Sequence, residues 1–166
     1  MRPFEEAMVL LDTIPGVGRR AAEQILAEIG TNMERFPTAA HLASWAGICP
    51  GNNESAGKRK PGRTRKGNNP LRNILVEVAR AAARTKNNYL SSQYHRIAAR
   101  RGANRAAVAV GHTILVIIYH ILKRRRPYIE LGADYFDRLK KEATIHRAVK
   151  KLESLGYKVS LELNVA

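Results

Sequence analysis

The chain has 166 residues, 45% of them hydrophobic, with a net charge of +15 at pH 7 and a single cysteine. That apolar fraction excludes wholesale disorder, and the length suits one domain or a domain with a short appendage. The charge calls for a polyanionic partner, while the lone Cys49 excludes a disulfide framework or a cysteine-based zinc site and suits a reducing cytoplasm.

Periodicity predicts helices almost throughout. Val9, Leu10 and Leu11 close a first short helix, and Ile14 to Gly18 form a turn. A second helix places Ala21, Ala22, Ile25, Leu26 and Ile29 on one stripe, with Gly30 as its stop. Pro37 opens a short helix carrying Leu42, Trp45 and Ala46. From Gly47 to Asn69 the pattern gives way to Gly, Asn and Pro, which marks a long loop. Pro70 reads as a first helical residue with Asn69 as N-cap, and Leu71, Ile74, Leu75, Val78, Ala79 and Ala82 recur at amphipathic spacing.

A further helix is predicted over 91–100, ended by Gly102, and another over 104–123 that is apolar nearly all round and therefore central. Its most apolar part, Ala106 to Tyr119, is short for a bilayer span, and no signal peptide pattern follows Met1. A soluble, intracellular protein is expected. A last helix covers roughly 134–155, with Gly156 as its stop. The alternation of Val159, Leu161 and Leu163 makes the tail a strand candidate in need of a partner, expected in a second protomer. The expected fold is mainly α, six to eight helices, organised as 1–127 and a 128–166 appendage.

Two motifs carry chemistry. In LLDTIPGVGRRAAEQILAEIG, two helices meet through Ile14-Pro15-Gly16-Val17-Gly18, a pattern like a helix-hairpin-helix. Gly16 and Gly18 permit the bend and leave amides free at the second helix's N-terminus, and Arg19 and Arg20 add charge where a phosphate would lie. Val17 is expected to point inward and join the helices. The bland alternative is an αα-turn that needs glycine for geometry alone.

The second motif, GNNESAGKRKPGRTRKGNNPLR, sets Lys58, Arg59, Lys60, Arg63, Arg65, Lys66 and Arg72 against one acid, Glu54. Such a cluster repels itself until phosphates neutralise it, so mobility without nucleic acid is expected. Ser55 lies inside it, and a serine hydroxyl surrounded by cations can attack a phosphodiester. Spacing alone favours a basic loop with an incidental serine. No histidine stands near as a base: of the five, His112 and His120 fall in the central helix and read as core residues.

Taken together, IPGVG with A-x-x-I-L-A-E-I-G, then F-P-T-A-A-H-L-A-S-W-A-G-I-C-P, S-A-G-K and K-G-N-x-P-L-R, resemble the C-terminal domain of IS-one-ten-type insertion-sequence transposases and the related Piv-type DNA invertases. The resemblance runs from about Leu11 to about Tyr119. It implies that Ser55 cuts DNA and holds it as a phosphoserine. It also implies that Asn68, within K-G-N-x-P-L-R, belongs to the nucleic-acid-binding set, that a structured guide (bridge) RNA is a partner, and that the protein assembles as a homo-oligomer on DNA.

Relatives carry an N-terminal RuvC-like domain whose four acidic residues bind a divalent metal, with magnesium expected. No counterpart of that domain is found in this sequence, which reads either as an excised or truncated C-terminal domain or as a stand-alone relative; in each case the chain alone is expected to bind DNA without cutting it. Two other readings remain at this point: a non-catalytic helix-hairpin-helix module, and a basic protein of a membrane surface or ribosome. The membrane version asks for cations along one helix face, whereas here they crowd a loop.

Overall fold

A computed structural model describes residues 2–49, 54–59, 62–64 and 66–164. The fold is mainly α, as the periodicities predict, with eight α-helices among the described residues. Helix α1 (Pro3–Asp12) starts on a proline with Glu5 and Glu6 in its first turn, where the helix dipole favours acids. Helix α2 (Arg19–Ile29) buries Ala22, Ile25, Leu26 and Ile29 and ends on Gly30 at φ 73°. After a 3-10 turn at Met33–Arg35, helix α3 (Ala39–Ala46) is capped by Thr38, and Gly47 ends it in the left-handed region. Pro37 thus precedes the cap rather than opening the helix.

Helix α4 (Asn69–Arg84) is capped by Asn68, whose side chain accepts from the Leu71 amide at 3.0 Å. The expected cap, Asn69, is the first helical residue instead, because Pro70 has no N–H and tolerates the second position as well as the first. Helix α5 (Tyr89–Arg101) begins two residues earlier than the pattern indicates. Asn88 accepts from Ser91 N at 2.8 Å and donates to Thr85 O at 2.8 Å.

Helix α6 (Ala103–Arg124) is the hub, with α1, α3, α4 and α5 packed on it. At 22 residues it is long and apolar enough to cross a membrane, so the apolar stretch is not disqualified by length; packing sets its role as a core helix. Gly111 lets it approach α4 closely: a Cβ there would lie 3.2 Å from Leu75 O and from Ile48 Cδ1. Tyr119, buried, donates from its hydroxyl to Phe36 O at 3.0 Å and ties the far end of α6 to the entry of α3. His112 is half-buried, and desolvation lowers its pKa. His120 is exposed, contrary to the core role expected, because it follows Tyr119 onto the outer side of the helix.

The first compact unit extends to Ala133. The boundary drawn after Pro127 falls inside it, since Tyr128 N donates to Thr13 Oγ1 at 2.9 Å and Glu130 Oε1 accepts from Tyr89 N at 2.7 Å. Burial, then the neighbouring Glu130 charge, holds the Tyr128 phenol protonated well above its ordinary range. In the second unit the expected single helix is two, α7 (Tyr135–Leu139) and α8 (Lys141–Ser154), interrupted at Lys140 with φ −110° and ψ 12°. Residues 157–164 form no strand, and Leu161 and Leu163 are exposed. A single alternating segment has no ladder to join within its own unit.

Candidate nucleic-acid interface

The basic segment contains a two-residue antiparallel hairpin. Strand β1 (Glu54–Ser55) pairs with β2 (Lys58–Arg59), with Ser55 directly opposite Lys58. The turn residues Ala56 and Gly57 have φ 51° and 74°, the left-handed pair that matches the twist of a two-residue hairpin. Ser55, Lys58, Arg63 and Lys66 are exposed, and Ser55 Oγ makes no hydrogen bond among the described residues. Register alone therefore puts an uncommitted hydroxyl and an ammonium stem on the same face of the hairpin. Arg59 is described by its backbone in β2; Lys60 and Arg65 lie outside the described residues.

The return of this segment is anchored firmly. A Cβ on Gly67 would fall 2.4 Å from Gly47 N and 2.5 Å from Ala46 C, so the chain crosses the end of α3 at backbone contact. Next to it, Asn68 donates from Nδ2 to Glu28 Oε2 at 2.6 Å while its Oδ1 caps α4. Both polar ends of Asn68 are thus committed to the fold, and Arg72, half-buried, sits in the first turn of α4. Sequence reasoning misses Glu28. Its one signal there is that it is an acid near the end of a helix otherwise ready to meet a basic segment.

The Gly-Val-Gly turn divides into two unlike halves. Ile14 and Val17 are buried, and Gly16 has φ 86° with the backbone of α4 against it: an added Cβ would lie 2.5 Å from Ala82 N and 2.7 Å from Val78 O. Val17 does join the helices, and Gly16 serves close packing. Gly18, in contrast, is exposed with nothing within 4 Å of a Cβ, and it precedes α2 without any side-chain cap. Arg19 and Arg20 are exposed in the first turn, which holds no acid. This half is the one with free amides and positive charge for an anion.

These two candidate loci are not brought together. Gly16 packs on the C-terminal half of α4, whereas Asn68 at its start meets Glu28 near the end of α2. Arg19 and Glu28 thus mark opposite ends of one helix, roughly 14 Å apart at 1.5 Å per residue. Among the described residues no three His, Cys, Asp or Glu side chains converge to hold a metal ion.

Comparison with known proteins gives concordant results. Residues 8–96 match the family described as Transposase IS116/IS110/IS902 family. The chain is 32% identical over 122 residues to the transposase for insertion sequence element IS1111A of Coxiella burnetii, covering 71% of this chain and 33% of that protein. It is 51% identical over 41 residues to the insertion element IS110 uncharacterized 43.6 kDa protein of Streptomyces coelicolor, covering 25% of this chain and 10% of that protein. The chain therefore spans a third or less of the length of these relatives.

Proposed function

Because the chain belongs to the IS116/IS110/IS902 transposase family, we propose that it is the DNA-gripping, serine-bearing part of a transposase, and that Ser55 is the nucleophile with which the longer enzyme cuts and rejoins DNA. The observation that carries this reading is Ser55 itself: exposed, its hydroxyl free of hydrogen bonds among the described residues, and opposite Lys58 in a segment rich in cations. Attack by Oγ on a phosphodiester forms a Ser–O–P bond as a bond to a deoxyribose oxygen breaks. That oxygen takes up a proton, and a later hydroxyl reverses the step and releases Ser55. Lys58, Arg63 and Lys66 offset the charge that builds on the phosphoryl oxygens.

This chain offers no ligand set for the divalent ion, magnesium by resemblance, among its described residues. By resemblance, such an ion would be held by the acidic N-terminal domain that relatives carry. The exposed cations suit any phosphate backbone, so a structured guide RNA belongs to the same proposal, as does a homo-oligomer on DNA. Pairing of the 157–164 tail between protomers would give its alternating residues the partner they lack in one chain.

In the longer transposase, Ser55→Ala should reduce strand cleavage by on the order of 10³-fold or more. DNA affinity should stay within about twofold, since every cation remains. The chain alone should bind DNA and not cut it. Undiminished cleavage by the variant would leave a non-catalytic binding module as the reading for this chain.

A further inference from the structure

Residues 78–129 contain eleven Lys and Arg and no Asp or Glu. This exceeds the unopposed charge of the Ser55 segment, yet none of it belongs to that segment or to the Gly-Val-Gly turn. Part of it converges at one corner of the helical unit. Arg100 and Arg101 close α5, Gly102 turns the chain at φ 85°, and Arg105 sits in the first turn of α6. Asn104 Oδ1 accepts from Arg80 Nη2 at 3.2 Å, which pins a fourth guanidinium from α4 to the corner. Arg84 follows one turn further along the same face of α4. All five arginines are exposed, and none forms an ion pair among the described residues; Glu77, one turn before Arg80, is exposed as well.

Helix electrostatics account for only part of this. Arg100 and Arg101 stand at a helix C-terminus, where the dipole favours cations. Arg105 stands at the positive end of a 22-residue helix that has neither a side-chain cap nor an acid in its first turn. The same arrangement opens α2 with Arg19 and Arg20. Both places are opposed by the dipole until an anion arrives. They also lie level with each other, because Gly16 meets α4 at Val78 and Ala82 while Arg80 meets Asn104. The two helix starts flank α4, whose width with side chains is roughly 10–12 Å. The Ser55 segment returns at Asn68, ~18 Å back along α4 from Arg80.

We propose that the α5–α6 corner, built from Arg80, Arg84, Arg100, Arg101 and Arg105, is a second phosphate-backbone contact that grips duplex DNA flanking the stretch held at Ser55. The proposal rests on the reading that this chain binds DNA and adds a surface to it. A duplex fits better than a single strand. The guanidiniums are carried on rigid helices, and the nearest rings are committed within the fold: His95 bonds to Ala83 O at 3.2 Å and meets Tyr94 edge-on instead of standing out as a stacking platform. The corner positions the duplex and reads no sequence.

The test uses this chain with three probes of equal length: duplex DNA, a single-stranded oligo-dT and a hairpin RNA. The slope of log affinity against log salt is compared for wild type, R100Q/R101Q/R105Q, and a hairpin variant, K58Q/R63Q/K66Q. The corner variant should bind duplex DNA at least tenfold more weakly, with a slope shallower by about 2 to 3, at ~0.9 for each phosphate left without its arginine. R100K/R101K/R105K should restore the slope. Should the triple variant lose helical circular dichroism, Arg101→Gln and Arg105→Gln are read singly, each lowering the slope by about 0.9.

An unchanged duplex slope in the corner variant, or a loss confined to the RNA, overturns the proposal. An unchanged slope in the hairpin variant with a loss in the corner variant would instead remove the hairpin from DNA binding and leave the corner standing. Failure of the wild-type chain to bind duplex DNA would sink both.

Discussion

The Gly-Val-Gly turn and the Ser55 segment look alike on paper, each a glycine-rich stretch beside arginines, and they are physically opposite. In the turn, Gly16 is pressed against the backbone of α4 between a buried Ile14 and a buried Val17. In the hairpin, Gly57 meets nothing within 4 Å, and Ser55 and Lys58 face outward. Glycine in the first region answers to the protein's own packing; in the second it answers to the geometry of a tight turn that presents side chains. Gly67 and Gly18 repeat the contrast in reverse, since Gly67 anchors the otherwise exposed segment to α3 and Gly18 opens the otherwise buried turn.

Gly16→Ala is the most direct way to break the comparison. It combines a left-handed φ with a Cβ 2.5 Å from backbone that cannot rotate away, and should cost about 3 kcal/mol or more in urea unfolding. Gly18→Ala, in open space at φ −81°, should cost under about 1 kcal/mol. Equal losses would dissolve the distinction. Gly67→Ala comes next, at about 2 kcal/mol, because the clash is severe but φ is not strained. Asn68→Ala should follow at about 1–2 kcal/mol, losing the α4 cap and the Glu28 bond. Ala56→Gly should have the opposite sign and stabilise the hairpin by up to about 1 kcal/mol, relieving a non-glycine φ of 51°.

The smallest effect concerns pH. Burial lowers the His112 pKa in the folded chain, so the unfolded chain takes up that proton first as pH falls. The contribution of a neutral His112 is thus present above the ordinary histidine pKa and is lost as pH falls below it. Urea midpoints at pH 7.5 and pH 5.5 should differ less in His112→Asn than in wild type. A larger difference in the variant would contradict this.

What was legible in the sequence follows the same physics. Apolar spacing located the core helices because burial is a one-dimensional signal along each helix: Ala22, Ile25, Leu26 and Ile29 all sit where the stripe puts them. Long-range backbone contacts were not legible. Nothing in the order of residues says that Gly16 meets Ala82 or that Gly67 meets Gly47, so the glycines of the turn read as a phosphate cradle when one of the two is a packing device. Asn68 shows the same limit, since its partner Glu28 is forty residues away in sequence. The interruption at Lys140 and the unpaired tail reflect the second unit, where no residue of α8 is buried and periodicity has no core to answer to.

The central claim is the covalent bond assigned to Ser55. The longer transposase would be incubated with its DNA, the protein–DNA adduct isolated, and the attachment site mapped by peptide mass spectrometry after nuclease and protease digestion. A nucleotide is expected on the peptide that holds Ser55, with no adduct in Ser55→Ala. An adduct on any other residue, or one that survives the substitution, would contradict the assignment.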